Sequence, residues 1–107
     1  MLSNMKQLQN NFTTPEQSKR LLELGVPIDT ADMFRIREDT LPIVKVGFES
    51  NVELPCWSVG RLMEIYYISR GAYSIEYYYH NNTNMIDYMI RRFEIQKGKL
   101  DFSKLEK

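Results

Sequence analysis

The sequence predicts an α+β fold: a single two-layer domain in the order α-β-β-α-β-α, with a three-stranded, mainly antiparallel sheet packed against helices. Three observations lead there. Two stretches carry helix-boundary signals, a third has an apolar stripe at helical spacing, and three short segments alternate with the period of a strand. With 107 residues, 43% of them hydrophobic and 26% charged, the chain can bury one modest core and is too apolar for wholesale disorder. We read residues 12–107 as the domain and residues 1–11, rich in Asn and Gln with only Leu2, Met5 and Leu8 as a thin stripe, as a flexible N-terminal arm.

The first helix is announced by TTPEQ. Thr14 is placed to cap, Pro15 brings its fixed φ to the first helical position, and Gln17 completes a capping box. The helix stops at Gly25, the left-handed position of a Schellman motif, with Val26 folding back on Leu21 and Pro27 barring continuation. Leu21, Leu22 and Leu24 are expected to face inward. After a polar turn, Asp29 to Asp32, the segment MFRIRE alternates, which sends Phe34 and Ile36 to one side and Arg35 and Arg37 to the other. Glu38 to Pro42 read as a loop. Val44, Val46 and Phe48 then repeat the alternation against Lys45, so a hairpin is expected, with Gly47 weakening its second strand.

The central stretch, LPCWSVGRLMEIYYIS from Leu54 to Ser69, holds the sole tryptophan and the sole cysteine. Ser58 is the natural N-cap, and a helix from Val59 to about Ile68 buries Leu62, Met63, Ile65 and Tyr66. Trp57 just outside the cap and Leu62 at the fourth helical position form a hydrophobic staple. Arg61 lies in the first turn, where the helix dipole disfavours a cation, so a carboxylate such as Glu64 is expected beside it. Beyond Gly71, AYSIEYYYH alternates as a third strand. A last helix starts after Asn84, buries Met85, Ile86, Met89, Ile90 and Phe93, and stops near Gly98; in the tail, Leu100, Phe102 and Leu105 can dock.

Reactive chemistry finds little footing. Cys56 has no histidine or cation at fixed spacing to lower its pKa, and reads as a buried core residue. His80 stands at a strand end with no nucleophile or metal partner in view, and Glu38 and Asp39 adjoin on a loop, where solvation is their ordinary role. The glycines are scattered at turns and build no phosphate loop; Cys56 and His80 alone make no zinc site. These features predict no catalytic residue, no cofactor and no metal.

Fourteen basic and fourteen acidic residues balance, so no global field recruits nucleic acid or an anionic membrane. One cysteine, no signal-peptide h-region and no bilayer-length apolar run point to a cytoplasmic protein. The partner that fits best is a protein, including a second copy of this chain, met through an aromatic strand or a sheet edge. The candidate interaction residues are Met33, Tyr67, Arg70, Tyr78 and His80. The alternative is single-stranded nucleic acid held by Tyr78, Arg70 and the basic residues on and after the last helix, Arg91, Arg92, Lys97 and Lys99.

Three blocks, FTTPEQSKRLLELGVPIDTADM at Phe12 to Met33, PCWSVGRLMEIY at Pro55 to Tyr66 and DFSKLEK at Asp101 to Lys107, resemble short uncharacterised bacterial proteins of prophages and other mobile elements. They cover less than half of the chain. The resemblance carries no reaction and no catalytic residue; it implies an accessory protein of a mobile element, working in the bacterial cytoplasm.

Overall fold

A computed structural model describes residues 11–45, 54–71 and 85–105. In chain order these form helix α1 (Pro15–Glu23), a 3-10 turn (Ile28–Thr30), strands β1 (Met33–Phe34), β2 (Ile43–Val44) and β3 (Pro55–Cys56), helices α2 (Val59–Ser69) and α3 (Met85–Ile95), and a closing 3-10 turn (Phe102–Leu105). The result is a compact α+β globule in which a three-stranded antiparallel sheet packs against helices. No described helix is long and apolar enough to cross a membrane.

Both ends of α1 form as the local sequence dictates. The Thr14 hydroxyl accepts from the Gln17 amide at 3.1 Å, while the Gln17 side chain accepts from the Thr14 amide at 2.9 Å. At the other end Gly25 adopts φ +92°, and the amides of Gly25 and Val26 donate to Leu22 and Leu21 as a Schellman motif requires. Val26 and Leu21 are both buried, so this stop is also part of the core.

Helix α2 begins as firmly. Ser58 caps it by accepting from the Arg61 amide, and Trp57 and Leu62 are both fully buried as a staple requires. Asp32 locks the cap from outside: its carboxylate accepts from the Ser58 amide at 3.0 Å and from the Ser58 hydroxyl at 2.6 Å. Arg61 finds the expected Glu64, and its Nε also donates to the Thr30 carbonyl at 2.7 Å. Helix α3 lies across α2, with Tyr66 edge-to-face against Phe93 at 5.5 Å between ring centroids. The final 3-10 turn, too weakly patterned to be foreseen, closes over α2, and the Asp101 amide donates to the Ser69 carbonyl.

The hairpin forms, with Met33 opposite Val44 and Phe34 opposite Ile43. The third described strand, however, is Pro55–Cys56, which pairs with β1 through Met33↔Cys56 and Phe34↔Pro55. The expected strand over residues 72–80 lies outside the described residues, as do Val46, Gly47 and Phe48 and all of the arm except Asn11, whose carbonyl accepts from the Val59 amide.

Two orientation expectations reverse. Ile36 is 68% exposed and Arg35 is buried, because β1 ends at Phe34 and the chain turns, so strand alternation no longer governs the next residues. Leu22 is likewise half open at 38%, while Leu21 and Leu24 carry the inward face of α1.

Candidate interaction surface

Among the described strands, the sheet order β2-β1-β3 places β2 at an edge. Residues directly opposite in an antiparallel pair share a face, so one face carries Cys56, Met33 and Val44, and the other Pro55, Phe34 and Ile43. On both faces burial fades outward. Cys56 is sealed, Met33 half-buried and Val44 63% exposed; Pro55 is buried, Phe34 half-buried and Ile43 44% exposed. Leu41 (67%) and Ile36 extend the exposed apolar surface around the hairpin.

Backbone direction sharpens this picture. The Lys45 amide donates to the Asp32 carbonyl, so Lys45 and, two residues earlier, Ile43 turn their polar groups toward β1. Val44 therefore turns its N–H and C=O away from β1. The next outward position is Pro42, which has no N–H to offer. Pro42 blunts the edge against open-ended strand addition, leaving apolar side chains as the main feature a partner meets.

The sequence-predicted interaction residues do not gather at one point. Met33 sits on the central strand beside the N-terminus of α2. Tyr67 and Arg70 sit near its other end, roughly 15 Å away along a helix of this rise. Tyr67 packs half-buried against the core and edge-on to Tyr66. The Arg70 guanidinium lies 5.4 Å from the Tyr66 ring centroid, and Arg92 of α3 sits 5.7 Å from the same ring. Tyr78 and His80 lie outside the described residues. Sequence reasoning passed over Ile36, Leu41 and Ile43; the one signal for them was Leu41-Pro42, an apolar residue next to a strand-incompatible one at a turn.

Behind the sheet lies a buried polar knot. Thr13 Oγ1 accepts from the Trp57 amide at 3.0 Å and lies 2.7 Å from Ser18 Oγ, and the Cys56 thiol donates to the Thr13 carbonyl at 3.3 Å. Burial pushes the Cys56 thiol up from its ordinary value, against the smaller opposing pull of the Thr13 hydroxyl. A neutral, fully enclosed thiol is a packing group rather than a nucleophile. Among the described residues, no cluster of His, Cys, Asp and Glu is placed to hold a metal ion.

On the outer side of α1 a cleft of about 190 Å³ opens between that helix and the β1–β2 connection; Ser18, Lys19, Leu22, Arg35, Glu38 and Leu54 are among its lining residues. Neither Trp57 nor Cys56 reaches it. No protein-family model, curated protein or solved structure matches this chain, so its surfaces are interpreted on their own geometry.

Proposed function

We propose that this chain is a non-enzymatic accessory domain that works through protein contacts, docking a partner on the β1–β2 hairpin and the open β2 edge. The observation that carries this reading is the concentration of Ile36, Leu41, Ile43 and Val44, each 44% or more exposed, within nine residues of one hairpin. Apolar residues gathered this way cost solubility unless something covers them. A second copy of the chain is the simplest cover, since an edge strand can meet its own symmetry mate. The resemblance noted above supports a setting in the bacterial cytoplasm, in the service of a mobile element.

Nucleic acid is the weaker partner. Arg70 and Arg92 already lean on Tyr66, whose ring is buried and offers no face for a base.

The test is sedimentation of the purified chain over a range of concentrations, beside affinity capture from a lysate of its host with the wild type and with Leu41→Asp. The reading expects self-association, or one partner captured in proportion to the bait, and the loss of either in Leu41→Asp. A wild type that stays monomeric and captures nothing overturns it.

A further inference from the structure

We infer that the cleft between α1 and the β1–β2 connection binds a carboxylate carried on a small apolar group. The inference starts from Arg35, which is only 8% exposed. Its Nε donates to the Thr40 carbonyl at 3.1 Å, and its guanidinium carbon lies 5.7 Å from the Phe12 ring centroid. Among the described residues, no carboxylate comes within ion-pair distance of it, and its Nη groups have no acceptor.

The contrast with other arginines is instructive. Arg20, Arg37 and Arg61 are all more open to water, yet each has a carboxylate beside it: Glu94, Asp39 and Glu64. Water screens an exposed cation cheaply, whereas a buried one calls for a counter-ion. Of these four residues Arg35 is the most enclosed and the one without a carboxylate, and its unpaired nitrogens keep their solvent access where the residue lines an open cleft.

The rest of the lining defines what fits. Among the described lining residues, Lys19 adds a second cation and Glu38 a single anion, a balance of one positive charge that is matched by a monoanion rather than by a doubly charged phosphate. A planar carboxylate suits the free donor edge of a guanidinium. Leu22 and Leu54 supply apolar wall. A volume of 190 Å³ falls below the range of drug-sized pockets and just above the roughly 150 Å³ cavity that accepts a benzene ring, so the apolar group is about one ring or one branched side chain. A free aromatic or aliphatic acid and the C-terminal residue of a peptide share this chemistry. The inference is independent of the hairpin reading, because ligand titration and assembly are separate readouts.

The experiment titrates the full chain with benzoate, benzamide, inorganic phosphate, a tripeptide ending in a free leucine carboxylate and the same peptide amidated, following backbone amide shifts by NMR. We expect the two carboxylates to shift Ser18, Lys19, Arg35 and Leu54, and the amides and phosphate to bind at least tenfold more weakly. Tighter binding of the peptide acid than of benzoate assigns the site to a chain terminus; the reverse assigns it to a free acid. Lys19→Glu, on an exposed helix position that leaves folding intact, should weaken benzoate at least fivefold, and Arg35→Gln, checked for fold by circular dichroism, should abolish it. Equal binding of acid and amide, no shift at these residues, or full binding by Lys19→Glu overturns the inference.

Discussion

Two regions of this molecule treat their side chains in opposite ways. At the junction of α1, β3 and α2, polar groups are buried and partnered: Thr13 joins Ser18 and Trp57, the Trp57 indole donates to Thr30 Oγ1 at 3.1 Å, and Asp32 holds Ser58. In the β1–β2 hairpin, Ile36, Leu41, Ile43 and Val44 face water and the charged pair Arg37–Asp39 is open to solvent. The difference teaches where folding free energy resides. Partnered polar groups sealed among Trp57, Leu21 and Leu62 lose much when disturbed, whereas exposed hairpin residues leave stability to be set elsewhere.

The comparison breaks most readily at Trp57. Trp57→Ala removes a fully buried indole and leaves Thr30 Oγ1 without its donor, so urea denaturation should show a loss of about 3–5 kcal/mol or no cooperative transition at all. Thr13→Val keeps the shape but strands the Trp57 amide and Ser18; a loss of about 1–3 kcal/mol is expected by the same measurement.

Tyr66 runs the other way. Its hydroxyl is buried without a hydrogen-bond partner among the described residues, so Tyr66→Phe should be neutral or stabilising by up to about 1 kcal/mol. A clear loss in that variant would mean the hydroxyl is satisfied after all.

A smaller effect is read out by pH at the buried junction and at the C-terminal turn. The Cys56 pKa is raised in the folded state by burial, so the unfolded chain gives up the thiol proton first. Its contribution is complete below the ordinary thiol range and declines as pH rises through that range toward the folded value. Denaturation midpoints should fall over that alkaline range, less steeply in Cys56→Ala. Asp101 has the opposite sign: the Ser103 hydroxyl, then the Ser103 amide, hold its carboxyl below the usual value, so its contribution is present at neutral pH and fades as pH falls through the carboxylate range.

Legibility followed the same division. Thr14, Pro15, Gln17, Gly25 and Ser58 act on neighbours a few residues away, so their spacing was enough to place the ends of α1 and the start of α2. Strand β3 was not legible, since Pro55–Cys56 is too short to alternate and is a strand only because β1 lies beside it. Alternation puts Arg35 and Ile36 on the wrong sides because the ring of Phe12 and the carbonyl of Thr40 hold Arg35 inside, which a period of two cannot express. The exposed hairpin was hidden for a related reason: Ile, Leu and Val look the same in sequence whether a neighbouring element covers them or not.

The most direct test of the account is a single variant carrying Ile36→Ser, Leu41→Ser and Val44→Thr, compared with wild type in both urea denaturation and sedimentation. The account predicts stability within about 0.5 kcal/mol per site of wild type, together with loss of self-association or partner capture. A fall of several kcal/mol with association unchanged would show that these residues serve the fold, and would contradict it.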